Sequence, residues 1–263
     1  MSSFEDVDGA ADPERLARHL RALSEIGPIA AGRRERAELL GLRPGGRAID
    51  VGCGLGDDAR AIARIVGPSG HVVGVDASTA LLDRARTRSV ADDQRVEFVL
   101  GDAHRLQFDD GTFDAARTER TLQHLADPAR AVGELARVTR AGGVVMASEP
   151  DWGTVALFGA PSELVRVLLS AAEERIRNAW VGRELAALFF DAGIIEMTVL
   201  AHAVVVREFE LLRAVIDLPA LSAEIRERND SDIDELLARI EHDFLIGRAV
   251  AAITLFTVAG RVA

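Results

Sequence analysis

Between residues 50 and 58 the chain reads Asp-Val-Gly-Cys-Gly-Leu-Gly-Asp-Asp, with glycines at 52, 54 and 56 and carboxylates at both ends. Glycines at this spacing let a backbone turn tightly and approach a ligand closely. A helix beginning after them would aim free amides at an anionic group. Asp76 and Asp102 each close a short apolar run further on. Ligands of open α/β sheets bind at the carboxyl ends of the strands, so these acids fall where a ligand would lie. A dinucleotide fingerprint needs a third glycine where this chain has Asp57, and Asp57 with Asp58 would repel a pyrophosphate. Amide donors flanked by carboxylates suit a ligand of mixed charge, with one carboxylate and compensating cations. S-adenosylmethionine, with its carboxylate, ammonium and sulfonium, is such a ligand.

Absences narrow the chemistry further. The 31 basic residues other than histidine are all arginine, and there is no tyrosine. Schiff-base chemistry, a pyridoxal phosphate anchor and a phosphate-loop lysine are excluded. So is the Tyr/Lys pair of a short-chain dehydrogenase. The arginine and alanine bias fits a high-GC genome. No H-E-x-x-H, cysteine cluster or calcium loop occurs, so no metal is expected.

The elements that must position these residues follow from periodicity. Ala48–Gly52 reads as a first strand. The helix after it carries Ala59, Ile62, Ala63 and Val66 on one face and stops at Gly67-Pro68. His71–Ala77, Val96–Asp102, Phe113–Glu119 and Val144–Pro150 read as strands two to five. Ser78–Val90 and Pro128–Arg140 read as intervening helices, the latter stopped by Gly142-Gly143. Strands alternating with helices imply parallel pairing with both sheet faces covered. Beyond Pro150, helices are expected over 161–177 and 182–192, a long sixth strand over 194–206, a helical insertion over 208–246, and a seventh strand from Ala251. Before the sheet, Leu16, Leu20 and Leu23 suggest one helix after Asp12-Pro13, and a second runs from Gly27-Pro28 to about Leu40.

Four of these segments, in this order, resemble class I S-adenosylmethionine-dependent methyltransferases, closely over residues 45–150. Asp50-x-Gly52-x-Gly54-x-Gly56 is similar to that family's first motif. Asp76 resembles the acid that accepts both ribose hydroxyls, and Gly101-Asp102-Ala103 the segment at the adenine amino group. Phe113-Asp114-Ala115 through Leu122-Gln123-His124 resembles the fourth-strand segment beneath the methionine portion, with Arg117 at the strand terminus. Pro128–Gly143 resembles the helix and paired-glycine turn before strand five. The resemblance implies a Rossmann-like α/β fold, doubly wound, with seven strands, the last antiparallel. It implies S-adenosyl-L-methionine as cofactor, contacted by Asp50, Gly52, Cys53, Gly54, Gly56, Asp76, Ala77, Asp102, Ala103 and Arg117. Asp50 would help hold the ammonium group. Cys53 reads as a small packing residue rather than a nucleophile. Residues 1–41 would be an N-terminal helical lid on a methyltransferase domain at 42–263, capped by an insertion at about 208–247.

Methyl transfer from a sulfonium needs in-line geometry above all, with a base added for a hydroxyl or acidic carbon. Without lysine or tyrosine, His124 and Glu119, near the presumed methyl group, are the candidates. For His124 the alternative is a loop histidine bonded to the backbone. Asp151 and Trp152 follow strand five and would bind and stack on an acceptor, unless Trp152 only anchors the loop. Arg177 and Trp180 precede the 182–192 helix, and His19 lies in the lid. These complete the substrate-binding candidates.

A net charge of −11 argues against duplex nucleic acid and anionic membranes, which need basic surfaces. The acidic start, with no apolar segment, does not read as a secretory signal, and the single cysteine fits a cytoplasmic location. The expected partner is a small-molecule acceptor, methylated at carbon or oxygen, in bacterial specialised metabolism or natural-product biosynthesis. The apolar N-terminal helices are candidates for a homodimer contact. Two rivals stand beside this reading: a nicotinamide-dependent oxidoreductase and a non-methylating homologue that keeps the cofactor.

Overall fold

The computed structural model describes residues 27–92, 96–158, 162–227 and 233–263. The expected helix around Leu16–Leu23, and His19 with it, lies outside the described residues. Seven strands form one sheet: β1 (Arg47–Val51), β2 (His71–Asp76), β3 (Val96–Leu100), β4 (Phe113–Glu119), β5 (Thr139–Phe158), β6 (Ile194–Val206) and β7 (Val250–Val262). Their order is β3-β2-β1-β4-β5-β7-β6, parallel from β3 to β5. β7 runs antiparallel to both its neighbours, β5 and β6. The last strand is reversed, as expected, and it is inserted between two others rather than added at the edge.

Alternation along each strand sends neighbouring side chains to opposite faces. On one face Ala48, Val72, Ala115 and Met146 pack against Ala59, Ile62, Ala63 and Val66 of helix α2 (Asp57–Val66) and Leu82 of α3 (Thr79–Asp92). On the other, Ile49, Val73, Ala116 and Val145 meet Val132 and Leu135 of α4 (Pro128–Val138) and Leu185 and Phe189 of α6 (Val181–Asp191). Helix α1 (Gly27–Leu39) precedes the sheet, and α5 (Ser162–Glu174) precedes α6.

Two boundaries differ from the sequence expectation. Helix α4 ends at Val138, two residues early, because Thr139 is already extended and pairs with Phe113. β5 continues past Pro150 to Phe158 through a bulge between Asp151 and Ala156, paired with β7 on either side of the bulge. Glycine at 153 hides this second half from periodicity arguments. The extended β5–β7 arm carries a separate apolar cluster. It is built from Leu168 and Ala172 of α5, Leu212 of α7 (Phe209–Val215), Leu221 and Ile225 of α8 (Leu218–Glu227), and Leu236, Ile240 and Phe244 of α9 (Ile233–Leu245). Among the described residues, the expected 208–246 insertion holds three helices, packed on the arm.

Candidate active site

The carboxyl ends of β1, β2 and β4 open into a cavity of about 300 Å³. One wall is the glycine loop. Gly52 sits at φ +73°, and a Cβ there would fall 2.0 Å from Thr121 Oγ1, so no side chain fits between this loop and the segment after β4. Gly56, at φ +75°, lies behind the wall, where a Cβ would meet the Phe98 ring at 2.5 Å. The Asp76 carboxylate accepts hydrogen bonds from the Gly54 amide at 2.7 Å and the Ser78 amide at 2.9 Å.

Beneath the loop lies a buried ionic cluster. Arg117, 3% exposed, donates to Glu119 at 2.5 Å and stands 3.1 Å from Asp58 and 3.5 Å from Asp50. Helix α1 joins it: Arg36 binds Glu119 at 3.1 Å, and Arg33 binds Asp58 at 2.8 Å. Burial and the Arg117 charge act in opposite directions on the carboxylates here. For Asp50 burial wins, and its pKa is raised to about 7 despite Arg117. For Asp58 the Arg117 and Arg33 charges overcome burial and hold its pKa below the ordinary range. Burial pushes the Cys53 thiol well up, consistent with a packing role in the wall it lines.

The segment after β4 forms the opposite wall. Arg120 takes a left-handed backbone, φ +52°, and its buried Nε has no hydrogen-bond partner, with Glu119 at 3.8 Å. A 3-10 turn, Leu122–His124, follows. Glu149 at the end of β5 fixes its start, accepting from the Thr121 and Leu122 amides at 2.8 Å. Full burial raises the Glu149 pKa to about 8, against those backbone donors.

Of the residues expected at a cofactor, Asp50, Gly52, Cys53, Gly54, Asp76, Ala77, Asp102, Ala103 and Arg117 line the cavity, and Gly56 supports it. Asp102 falls two residues past β3, in a turn where it binds His104 at 2.6 Å. Among the acceptor-side candidates, His124, Glu119 and Trp152 line the cavity. Glu119 is gripped by Arg36 and Arg117. Trp152 is fixed by its indole N–H, which donates to Gln123 Oε1 at 2.8 Å.

Three candidates are placed elsewhere. Asp151 is 1% exposed and paired with Arg183 through its Nε and its Nη2, the latter at 2.6 Å. It belongs to the continuing strand, not to a loop at the cavity mouth. Trp180 is 52% exposed, bonded to Glu173, and Arg177 is exposed. Neither is in the cavity wall, because the chain from 175 to 180 turns their side chains outward while Asn178 clamps the Leu122 and Leu125 carbonyls at 3.0 and 2.7 Å. Sequence reasoning missed Arg120, Arg175, Ile216 and Asp217, which do line it. Only the cap's fold brings the last three there.

A seven-stranded sheet in this order, with strand seven reversed and a glycine loop at β1, defines a Rossmann-like class I methyltransferase fold. The family model described as a methyltransferase domain matches residues 49–147. The chain is 41% identical over 182 residues, 69% of its length, to an uncharacterised 37.1 kDa protein of transposon TN4556 from Streptomyces fradiae, of which it covers 52%. It is 36% identical over 119 residues, 45% of its length, to a demethylmenaquinone methyltransferase of Staphylococcus aureus, of which it covers 49%. The chain thus spans about half the length of these curated relatives. A geranyl diphosphate methyltransferase solved in complex with SAM shares the fold at TM-score 0.59 and 18% identity, covering 96% of this chain and 93% of that one. Residues 49–147 are a methyltransferase domain of the class I, S-adenosylmethionine-dependent family.

Proposed function

We propose that this chain transfers a methyl group from S-adenosylmethionine to carbon or oxygen of a small-molecule acceptor. One observation carries the reading. A single cavity joins the glycine loop and the Asp76 and Asp102 turns to an apolar cap wall containing Trp152, Ile176 and Ile216. Cofactor-type and acceptor-type surfaces therefore face one space.

When bound, the cofactor supplies an electrophilic methyl group on a sulfonium. Asp76, at the end of β2 in the cavity wall, would accept the ribose hydroxyls. Asp102 and Ala103 line the adenine end. Asp50, ionised against the ligand's ammonium, holds the amino-acid end. Arg117, with carboxylates around it, positions Asp50 and Asp58, and the unpartnered Nε of Arg120 is the donor offered to the ligand's carboxylate. Helix α1, tied to Asp58 and Glu119 by Arg33 and Arg36, acts as a lid on this end. Holding acceptor and methyl in line supplies most of the rate. His124 is the wall residue able to take the proton an oxygen or carbon acceptor releases. The methyltransferase named for the Staphylococcus relative and the structure solved with SAM support this reading. A role in bacterial specialised metabolism and a cytoplasmic location are part of the proposal, the former resting on the enclosed, largely apolar acceptor end.

Calorimetric titration with S-adenosylmethionine and S-adenosylhomocysteine tests it, on the native chain and on Asp76→Ala and Asp76→Asn. Micromolar binding weakened at least about tenfold in both variants is expected, corresponding to loss of a charge-assisted hydrogen bond. Absence of binding in folded protein refutes it.

A further inference from the structure

The cap end of the cavity contains a polar group that the folded chain leaves unsatisfied. Arg175 lines the cavity just beyond α5, and its Nη1 is buried without a hydrogen-bond partner. Buried donors are almost always paired in native proteins, so an orphan in a cavity wall marks where a ligand atom belongs. Elsewhere the guanidinium makes one long hydrogen bond, its Nη2 donating to Asp217 at 3.4 Å, and its Nε lies 3.7 Å from Glu224, against the 2.7–2.9 Å of a good charge-assisted bond. Asp217 also sits in a left-handed backbone, φ +47°, in the turn between α7 and α8, directly after the buried Ile216. Such strain persists where surrounding structure enforces it and clusters at ligand clamps. Around this polar point the wall is apolar: Ala172, Ile176, Val215, Ile216 and the indole of Trp152.

We propose that this end is a subsite for a mainly apolar molecule bearing a carbonyl oxygen, which Arg175 binds as hydrogen-bond donor while the apolar body lies against Trp152. The proposal rests on the methyltransferase reading in taking that molecule to be the methyl acceptor. A carbonyl is favoured over a carboxylate because Asp217 and Glu224 already balance the guanidinium charge. A further anion would set three carboxylates around one cation, whereas a carbonyl needs only the free N–H. The Trp152 ring is a fixed platform, because Gln123 holds its indole nitrogen.

The chain has two tryptophans and no tyrosine, so Trp180→Phe leaves Trp152 as the single fluorescent reporter. In that background, saturated with S-adenosylhomocysteine, three probes of similar size are titrated: acetophenone, ethylbenzene and benzoate. The proposal expects saturable quenching by acetophenone at about tenfold lower concentration than ethylbenzene, since a site built around a hydrogen bond rejects the analogue lacking it. Arg175→Met should abolish the preference while leaving S-adenosylhomocysteine affinity intact, and Arg175→Gln, which keeps an N–H, should retain part of it. Equal binding of acetophenone and ethylbenzene, a preference that survives Arg175→Met, or no saturable binding of any probe overturns it. Benzoate binding more tightly than acetophenone overturns the choice of a carbonyl. If S-adenosylhomocysteine fails to bind while the Arg175-dependent preference remains, the methyltransferase reading falls and the subsite stands.

Discussion

Asp50 offers the sharpest test of how the cofactor end of the cavity works. Its carboxyl is 2% exposed, and burial raises its pKa to about 7 although Arg117 stands 3.5 Å away. The folded chain therefore binds a proton at Asp50 more tightly than the unfolded chain does, and this group costs stability progressively as pH rises from about 4 to about 7. A bound ammonium reverses the preference, because the anion then gains a cation in a low-dielectric setting. If Asp50 must ionise to receive the ligand, binding releases a proton below pH 7, and affinity falls about tenfold per pH unit there. Two units below the pKa, near pH 5, about one Asp50 in a hundred is ionised, and the loss approaches a hundredfold, or about 3 kcal/mol. The assay is calorimetric titration of S-adenosylhomocysteine from about pH 5 to pH 8.5, repeated in buffers of different ionisation enthalpy to count protons. The ligand's own amine titrates as well, so the same series is run on Asp50→Asn, which keeps the side-chain shape and removes the titration. The difference between the two slopes belongs to Asp50. Equal slopes in the native chain and Asp50→Asn would refute the reasoning and move the ammonium away from β1.

Three further outcomes follow from the same geometry. Glu149→Gln should match the native chain near pH 4, where the Glu149 carboxyl is protonated both folded and unfolded, and become increasingly the more stable of the two as pH rises towards 8, since the native carboxyl loses stability from about pH 4.5 to about 8; urea unfolding at several pH values reads this directly. Arg36→Met should cost about 2 kcal/mol by removing one of the two arginines that hold the buried Glu119, the other being Arg117, and adding Glu119→Gln should recover part of that loss in denaturant melts; a cost below about 1 kcal/mol would show that α1 is not anchored there. Gly52→Ala should abolish S-adenosylhomocysteine binding, because a left-handed φ is penalised by about 1–2 kcal/mol and the new methyl overlaps Thr121; unchanged affinity would mean the loop can move freely.

The parallel half of the fold is legible in the sequence because its signals are local. Ala59, Ile62, Ala63 and Val66 recur at helical spacing, and Ile49, Val73 and Val145 alternate with residues bound for the opposite face. The same holds for the glycine loop and for Asp76 and Asp102, whose meaning comes from following a strand. The far half of β5 was not legible. Trp152-Gly153-Thr154 carries no alternation, and the strand is specified by pairing with β7, a hundred residues on, including a Thr254 amide that donates to Thr154 Oγ1 at 2.9 Å. Reading that segment as a loop is what set Asp151 at the cavity mouth, when the arm buries it against Arg183.

Arginine shows most plainly where local signals end. The chain has no other strong cation, so residue type cannot separate a ligand-binding guanidinium from a structural one. What separates them is the number of carboxylates that tertiary packing delivers. Arg117, chosen from its place at the end of β4, is met by Asp50, Asp58 and Glu119, so its charge is neutralised within the fold and its work is to hold those acids in place. Arg36 and Arg33 arrive from α1 for the other sides of Glu119 and Asp58, making the lid part of the same charge balance. Arg120 and Arg175 line the cavity with fewer and longer carboxylate contacts, Arg120 Nε 3.8 Å from Glu119 and Arg175 3.4 Å from Asp217 and 3.7 Å from Glu224, and each, like Arg117 at its Nε, has a buried N–H without a partner. A buried donor left in that state destabilises the empty protein and favours whatever ligand satisfies it. Arg117, Arg120 and Arg175 all carry such a donor and all line the cavity, the last two from positions that the sequence does not single out. Arg120 adjoins Thr121, the glycine loop's partner, and Arg175 adjoins Ile176 just beyond α5, and both line the same cavity.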